Sequence, residues 1–436
     1  MSKSLSAEQN KIVDLLKENT DKVIVIEAVA GCGKTSVISS YLRCLDANKR
    51  ALVLAFNVAA VAELKHRVGD KTRHSIHTFH GFASEMLDHP KIVNRKHEKR
   101  FETEKRSESW FTVKRQIDMV RSLHPFEPTD AASLLALTLV TMYGTSEVEI
   151  DDLPVCALLH RKTSKFGYSV IIVDEAQDST PVQIALLRSI FSSANAAQLV
   201  VVGDRRQSIY GFRYVSGALD LVKTQFDALV GRERVLQASL HVCFRCPQKV
   251  VKIAALIHSG ITCAEENQMG CVKVVQLSAG NVQTFLHNLS KNQQVYCITR
   301  QNEKCMQFLL HALRLGWEDF LWFSPSVASD IMVVVSLLLQ GFTEDSDATA
   351  YVRLLRIFKT KNLACLLYDR WNDIRQQQAA DMSDISPSVI QILNSPMSFI
   401  DTLIFLLTKV CSNLDTGHAK LVLMTAHCTK GLTYRR

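Results

Sequence analysis

A short apolar run that leads into a loop of small residues is the feature that most constrains this chain. Residues 23–26 read VIVI and residues 28–35 read AVAGCGKT. A buried strand that passes through glycines into a helix lets backbone amides approach phosphate oxygens at the positive helix N-terminus. Lys34 could then reach the β- and γ-phosphates, and Thr35 could ligate Mg²⁺. The pattern predicts a nucleotide-phosphate site, although Ala28 stands where the usual loop begins with glycine.

A second apolar run, VIIV at residues 170–173, ends in two acidic residues, Asp174 and Glu175. A buried parallel strand delivers the residues after its C-terminus to the ligand-binding edge of a sheet, which is where the phosphate loop also lies. Asp174 fits Mg²⁺ coordination, and Glu175 fits polarisation of an attacking water. Together the two runs predict ATP and Mg²⁺ as cofactors. The predicted phosphate-loop residues are Ala30, Gly31, Cys32, Gly33, Lys34 and Thr35.

Similar β-branched runs occur at residues 51–55 and 199–202, and each of these apolar runs is followed by a stretch with helical spacing. Strands that alternate with helices predict a parallel α/β sheet. With 436 residues and 47% hydrophobic content, the chain can bury several cores, and its length suggests about three domains. The predicted fold class is α/β.

Composition excludes several classes of protein. The twelve cysteines are irregularly spaced, and the first residues contain no apolar stretch typical of a signal peptide, so we expect an intracellular protein. The most apolar tract, residues 331–339, is about half the length that a membrane-spanning helix requires. The net charge of +8 is a mild bias towards polyanions.

The string DEAQD at residues 174–178 resembles motif II of superfamily 1 helicases of the Rep/UvrD type. Further strings follow in that family's order: LSAEQ at 5–9 resembles the Q motif, and GDRRQSIYGFR at 203–213 resembles motif III. The resemblance implies that Gln9 reads adenine and that Gln207 senses the γ-phosphate. It also implies two RecA-like domains and an activity as an ATP-dependent DNA helicase.

The resemblance continues through the strings that in this family contact single-stranded DNA. Segments 56–57 and 78–80 resemble motifs Ia and Ib, and segments 298–302 and 424–432 resemble motifs IVa and V. Aromatic faces suit this role because any base can stack on them. Each phenylalanine taken alone is more often a core residue. The implied nucleic-acid-binding residues are Phe56, Asn57, Thr78, Phe79, His80, Tyr210, Phe212, Thr425 and His427.

The segment VCFRCP at residues 242–247 resembles motif IV. The resemblance implies that Arg245 is an arginine finger for the γ-phosphate and that Phe244 flanks the base. Cys243 and Cys246 have the spacing of zinc ligands, but the chain has no second Cys-x-x-Cys to complete a site, which makes a metal role the weaker interpretation.

Three strings are similar to those of the F-box DNA helicase family: FN at 56–57, DEAQDSTP at 174–181 and CFRCP at 243–247. That family acts in homologous recombination and stalled-fork processing. The Q motif begins at Leu5, so we expect no F-box and no ubiquitin-ligase contact. The sequence stops at Arg436, soon after motif V and before the family's motif VI with its second arginine finger. We therefore expect an incomplete second motor domain and weakened hydrolysis.

The expected organisation is two RecA-like domains, each carrying an inserted and mainly helical subdomain. The first motor domain covers 1–88 and 156–238, with an insertion at 89–155 whose basic residues could contact phosphates or simply be solvated. The second covers 239–340 and 411–436, with a helical insertion at 341–410.

The predicted function is a 3′→5′ DNA helicase with DNA-stimulated ATPase activity, acting on single-stranded and 3′-tailed duplex DNA with recombination proteins as further partners. The expected location is the nucleus in a eukaryote and the cytoplasm otherwise. The alternative is a catalytically weakened ATP-binding protein that keeps affinity for single strands. The strings at 174–178 and 207–210 are not expected together in a signalling or transport ATPase, so that class is the weakest of the three interpretations.

Overall fold

The structure is a computed structural model of the whole chain. It describes residues 4–69, 73–93, 97, 110–121, 147–160, 167–194, 197–209, 217–274, 294–300, 304–305, 308, 320–324, 410–411 and 421–426. The chain divides into two compact units, Met1–Val272 and Lys273–Arg436. The predicted start of a second motor domain at residue 239 stays a prediction, and segment 239–272 belongs to the first compact unit.

A six-stranded parallel sheet forms the centre of the first unit. Its strands are β1 (Val23–Ala28), β2 (Ala51–Ala55), β3 (Ser75–Thr78), β6 (Val170–Val173), β7 (Gln198–Gly203) and β8 (Val235–Leu240), in the spatial order β3-β2-β6-β7-β1-β8. In this register Val23 of β1 lies opposite Leu199 of β7 and Val235 of β8. The predicted α/β fold with a parallel sheet is confirmed.

Both faces of this sheet are buried, which explains why its strands are continuous apolar runs rather than alternating ones. Along β1, Val23 and Val25 contribute to one core, whereas Ile24 and Ile26 contribute to the other. Successive side chains point to opposite faces of a strand, so each four-residue run supplies two residues to each layer.

Nine described helices accompany the strands. They are α1 (Ala7–Glu18), α2 (Lys34–Cys44), α3 (Val58–Val68), α4 (Phe79–Met86), α5 (Trp110–Arg121), α6 (Leu153–His160), α7 (Pro181–Ser193), α8 (Ala218–Val230) and α9 (Gln248–Ala255). Buried residues of α1, α2 and α3 join the core that contains Ile24, and those of α4, α6, α7 and α8 join the core that contains Val23.

Local sequence signals fix where several helices begin. Ser6 and Gln9 form a reciprocal capping box at the start of α1, and Thr180 and Gln183 form a second one at α7, where Pro181 occupies the first turn. Such caps satisfy amides that have no partner within the helix, and each is worth about 1 kcal/mol.

The strand order determines where the functional loops meet. β7 lies between β1 and β6, so the strand that leads to the phosphate loop is not the direct neighbour of the strand that ends at Asp174. Because the strands are parallel, the loops after β1, β7 and β6 emerge along one edge of the sheet. Residues after β7, beginning at Asp204, are therefore placed between the phosphate loop and the acidic pair.

Two short strands, β4 (Lys91–Ile92) and β5 (Glu147–Val148), pair within the predicted insertion at 89–155. Short polar contacts join its described parts: Arg121 Nε lies 2.6 Å from Asp152 Oδ1, Arg121 Nη2 lies 2.8 Å from Glu149 Oε2, and His97 Nε2 lies 2.6 Å from Asp152 Oδ2. The basic residues that we considered for phosphate contact, Arg95, Lys96, Lys99, Arg100, Lys105 and Arg106, lie outside the described residues.

The second unit contains a four-stranded parallel sheet of β11 (Val295–Thr299), β12 (Phe320–Phe323), β13 (Val410–Cys411) and β14 (Leu421–Thr425), in the order β11-β14-β12-β13. It fits the predicted second α/β domain, whereas the helical insertion predicted at 341–410 falls almost wholly outside the described residues. Of the helices that the structure describes, none has the length and apolarity needed to cross a bilayer.

Candidate functional site

The phosphate loop connects β1 to α2 through two glycines in the left-handed region. Gly31 has φ +71° and Gly33 has φ +83°, and Gly33 is the residue immediately before α2. A side chain would strain this conformation, and a Cβ at Gly33 would also collide with the Gln9 amide. Glycines therefore allow the loop to turn its backbone into the α2 N-terminus, which is the geometry expected of an anion cradle.

The side chain of Gln9 is buried and packs against this loop. Its Nε2 donates a hydrogen bond to the Cys32 carbonyl oxygen at 2.8 Å, and its Oε1 accepts one from the Ser6 amide at 2.9 Å. Gln9 thus ties α1 to the phosphate loop. The predicted adenine contact stays a prediction.

Lys34 and Glu175 form an ion pair between the phosphate loop and the end of β6. Lys34 Nζ lies 3.1 Å from Glu175 Oε1 and 3.2 Å from Oε2. Burial lowers the pKa of Lys34, but the carboxylates of Glu175 and Asp174 outweigh it, and the net result is a pKa above the ordinary value. The structure therefore brings together the predicted phosphate-binding lysine and the predicted water-activating carboxylate.

The backbone of Glu175 is in the left-handed region, with φ +53° and ψ +41°. This conformation costs about 1–3 kcal/mol for a residue other than glycine. The turn is held by a hydrogen bond from the Glu175 amide to Asp174 Oδ1 at 2.9 Å. A strained backbone at a carboxylate that faces a buried lysine is typical of functional sites.

Asp174 is a buried carboxylate, at 5% exposure. Burial, together with the negative charge of Glu175, raises its pKa to about 7, against the opposing influence of Lys34. Thr35, in the first turn of α2, and Asp174 supply a hydroxyl and a carboxylate, which are the hard oxygen donors that Mg²⁺ prefers. The donor set thus fits the predicted ion, and a cation would offset two crowded carboxylates.

A continuous chain of hydrogen bonds runs from Glu175 to Gln207. Gln177 Nε2 donates to Glu175 Oε2 at 2.6 Å, and Gln177 Oε1 accepts from the Asp204 amide at 2.9 Å. Gln207 Nε2 then donates to Asp204 Oδ2 at 2.7 Å. The predicted sensor Gln207 is therefore connected to the acidic pair through Asp204.

The bridging position of Gln177 was not predicted from the sequence, where this residue was noted only as part of the string DEAQD. The bridging amide is 2% exposed, and the absence of a side chain on Gly203 makes room for it, because a Cβ there would lie 2.7 Å from Gln177 Oε1. A buried glutamine directly after an acidic pair was the available signal, since such an amide must find partners for both its ends.

The segment after β8 lies against the phosphate loop although it is more than 200 residues away in sequence. The Val29 amide donates to the Leu240 carbonyl oxygen at 3.0 Å, and the Phe244 amide donates to the Gly31 carbonyl oxygen at 2.9 Å. A Cβ on Gly31 would lie 2.8 Å from Arg245 Cβ. The predicted arginine finger, Arg245, is exposed, and its Cβ lies directly beside the loop.

The predicted single-strand-binding residues have mixed surroundings. Asn57 and Thr78 cap helices, because Asn57 Oδ1 accepts from the Ala60 amide at 2.8 Å and Thr78 Oγ1 accepts from the Gly81 amide at 3.0 Å. Phe79 is 5% exposed and packs in the core, so its ring offers little surface for stacking. Phe56 and His80 are half-buried. Phe56 is therefore a stronger candidate than Phe79 for stacking on a base.

Of the four remaining residues predicted to contact nucleic acid, one lies in the second unit and three lie outside the described residues. Thr425 is the last residue of β14 in the second unit and is 5% exposed. Tyr210, Phe212 and His427 lie outside the described residues.

Comparison with known proteins agrees with the geometry of this first unit. Residues 9–213 match the AAA domain family. The match begins at Gln9 and includes the phosphate loop, the acidic pair and Gln207, whereas Arg245 lies outside it. This segment of the first unit is therefore similar to an AAA domain.

Two relatives with helicase names match this chain over limited lengths. A probable DNA helicase II homolog of Mycoplasma capricolum is 26% identical over 271 residues, which are 49% of this chain and 37% of that protein. A component of an ATP-dependent helicase/nuclease of Levilactobacillus brevis is 33% identical over 116 residues, which are 26% of this chain and 9% of that protein. The chain thus spans well under half the length of these relatives. Both relatives carry helicase names.

Among solved structures, a Bacteroides Pif1 helicase in complex with ADP-AlF3 and single-stranded DNA overlaps with a TM-score of 0.31 at 14% identity. The overlap covers 73% of this chain and 58% of that one.

Proposed function

We propose that this chain is the motor of an ATP-dependent DNA helicase of superfamily 1 that moves 3′→5′ on single-stranded DNA. The observation that carries the proposal is the hydrogen-bonded chain Lys34–Glu175–Gln177–Asp204–Gln207, which joins the phosphate loop, the acidic pair and the predicted sensor. A site of this kind can register whether a γ-phosphate is present. It can also pass that information along the sheet edge.

In the proposed reaction, the loop from Ala30 to Thr35 holds the phosphates and Lys34 contacts their β- and γ-oxygens. Thr35 and Asp174 would hold Mg²⁺, which would supply positive charge that neutralises the phosphates. Glu175 accepts a hydrogen bond from the attacking water and polarises it. The Cβ of Arg245 lies beside Gly31. Its guanidinium can therefore balance the negative charge that develops on the transferred phosphoryl group.

The same network supplies a reason for DNA to affect turnover. Gln207 is followed along the chain by Tyr210 and Phe212, the residues that the resemblance assigns to base contacts. A strand that engages this segment would shift Gln207, and through Asp204 and Gln177 it would alter the position of Glu175. We propose Phe56 as a second base platform, with a sequence-tolerant contact worth about 1–3 kcal/mol per base.

The substrate class rests on the names of the two relatives, which are both helicases, and on the resemblance to Rep/UvrD-type motifs. The similarity to F-box DNA helicases makes recombination and fork processing the pathway that we propose. The competing candidate is a catalytically weakened ATP-binding protein that still binds single strands. It predicts ATP and DNA binding without strand separation.

A directional unwinding assay tests the proposal. The protein is given ATP, Mg²⁺ and a duplex with a 3′ tail or a matched 5′ tail, and the Lys34→Ala variant serves as the inactive control. We expect strand separation from the 3′-tailed duplex by the parent alone. Preference for the 5′ tail would contradict the direction, and retained ATP and DNA binding without unwinding of either duplex would favour the weakened binding protein.

A further inference from the structure

Two cysteines flank the candidate arginine finger at the point where the chain passes the phosphate loop. Cys243 ends the short strand β9 (Val242–Cys243), and Cys246 precedes Pro247 and helix α9. We propose that Cys243 and Cys246 are a redox-active dithiol whose disulfide form restrains Arg245 and the phosphate loop. Its regulatory consequence rests on the role proposed above for Arg245.

The two cysteines already contact each other. The Cys246 amide donates to Cys243 Sγ at 3.4 Å. A disulfide requires the two residues to lie close together, with Cα atoms within about 7 Å of each other. The short contact between the Cys246 backbone and the Cys243 sulfur places the pair close together at the bend before α9.

The proton is unevenly shared between the two sulfurs. The hydrogen bond from Cys246 lowers the pKa of Cys243 to about 6, against the effect of burial, and backbone amides and the Arg245 charge add to it. The same interaction raises the pKa of Cys246 above its ordinary value. Near neutral pH the pair therefore holds one proton, with thiolate character at Cys243.

Cys243 is also in contact with the phosphate loop. Its Sγ lies 3.0 Å from the position that a Cβ would take on Gly31, and the neighbouring Phe244 amide donates to the Gly31 carbonyl oxygen. A disulfide would turn Sγ away from Gly31 towards Cys246 and would enclose Phe244 and Arg245 in a small ring. Both changes act on residues that we assign to the nucleotide.

Cys263 is the nearest competing thiol. Its Sγ lies 3.8 Å from the Cys246 carbonyl oxygen, and Asn267 Nδ2 lies 3.3 Å from the same sulfur. In the part of the chain that the structure describes, the one set of groups close enough to hold a metal is His97, Glu149 and Asp152. The three cysteines are not grouped in that way, which favours a dithiol over a zinc site.

The reaction is a thiol–disulfide exchange with a low-molecular-weight disulfide. Cys246, the half-exposed thiol, attacks that disulfide as its proton passes to Cys243, and one small thiolate leaves. Cys243 then loses the proton to this thiolate and attacks Cys246 Sγ, which displaces the second small thiolate. The protein gives up two electrons and the one proton that the pair holds, and the small disulfide becomes one thiol and one thiolate, which takes its proton from water.

Oxidised glutathione is the probe for this step. After treatment, free thiols are alkylated and the peptides are mapped by mass spectrometry, with ATP turnover measured before and after addition of a reductant. We expect a Cys243–Cys246 disulfide, loss of alkylation at both residues, and a loss of turnover that the reductant restores. Cys263→Ser should behave as the parent, whereas Cys246→Ser should keep its turnover in oxidant.

A disulfide that includes Cys263, or persistent alkylation of Cys243 and Cys246, overturns the proposal. A Cys243–Cys246 disulfide that leaves both turnover and nucleotide affinity unchanged overturns its regulatory part. The disulfide map does not depend on catalysis, so failure of the helicase proposal is recognised separately as absent turnover in the reduced parent. In that case the effect on the loop is read from nucleotide affinity in the two redox states.

Discussion

Lys34 Nζ lies 3.1 Å from Glu175 Oε1, so the residue expected to bind phosphate is held by the residue expected to activate water. An incoming phosphate would have to share the ammonium with this carboxylate. The ion pair therefore opposes nucleotide binding to some extent, while it keeps Glu175 beside the reacting group.

This relationship makes Glu175→Gln informative, because the change removes the charge but keeps the shape. We expect ATP affinity to increase by about tenfold, since a hydrogen bond to a charged group is worth roughly 1.5 kcal/mol or more. Turnover should fall by about 10²–10⁴-fold with loss of the base. Nucleotide titration and steady-state hydrolysis measure the two effects. Glu63→Gln, in the exposed pair with Arg67, is the control, and weaker ATP binding by Glu175→Gln would contradict the competition.

Asp174 should make stability depend on pH. Its pKa is raised in the folded protein from 3.8 to about 7, because burial and Glu175 disfavour the charged form. The unfolded chain therefore binds fewer protons between these values, and the stability of the nucleotide-free protein falls as pH rises through them.

Asp174→Asn removes this titration while keeping the side-chain size. We expect the variant to have a higher melting temperature than the parent at about pH 8 and little difference at about pH 4. Thermal unfolding without nucleotide and Mg²⁺ gives the comparison. An equal difference at both pH values would show that Asp174 is not the group responsible.

Gln177 should couple the acidic pair to the sensor, because its amide contacts both Glu175 and the Asp204 backbone. Gln177→Leu removes the partner of the Asp204 amide, at a cost of about 1–3 kcal/mol of stability, whereas Glu175 keeps its ion pair with Lys34. We expect turnover to fall and its stimulation by DNA to disappear, while ATP affinity changes much less.

A variant of similar stability loss separates coupling from folding. Gln183→Leu removes half of the α7 capping box, away from the nucleotide, at a cost of about 1 kcal/mol. It should keep DNA stimulation. If both glutamine variants lose stimulation equally, the effect of Gln177 is one of general stability.

Phe56 and Phe79 should respond differently to alanine substitution because one is half-buried and the other is core. Phe56→Ala should weaken binding of single-stranded DNA by about 1–3 kcal/mol without unfolding the protein. Phe79→Ala should instead cost about 3–5 kcal/mol of stability. Fluorescence anisotropy with a labelled oligonucleotide and thermal unfolding distinguish them. Unchanged DNA affinity in Phe56→Ala would remove it from the interface.

The parallel sheet was predictable because strands buried on both faces are continuous apolar runs, as at residues 23–26 and 170–173. The order of these strands was not, since the placement of β7 between β1 and β6 depends on contacts that no local pattern records. This order is what brings Asp204 between the phosphate loop and Glu175. It explains why the sequence suggested a sensor without showing how it is connected.

Residue type predicted that the acidic pair and Lys34 lie together, because the segments after parallel strands meet at one edge of the sheet, and the structure places them in contact, while their roles stay predictions. It predicted the aromatic contacts less well. Phe79 and Phe56 occur in similar short strings, yet their burial differs because Phe79 opens a helix that faces the core. Likewise, Cys243 and Cys246 resembled zinc ligands by spacing alone, and the closeness of Cys243 to Gly31 could be recognised only from the fold.

The central claim is that the site from Lys34 to Gln207 hydrolyses ATP in response to single-stranded DNA. Its most direct test is the rate of ATP hydrolysis as a function of oligonucleotide concentration, for the parent, Lys34→Ala and Lys49→Ala. Lys49 forms an exposed ion pair with Asp46 and is the matched lysine control. We predict a rate that rises with DNA and saturates for the parent and Lys49→Ala, and no hydrolysis by Lys34→Ala. A parent rate that does not change with DNA, or hydrolysis that survives in Lys34→Ala, would contradict the claim.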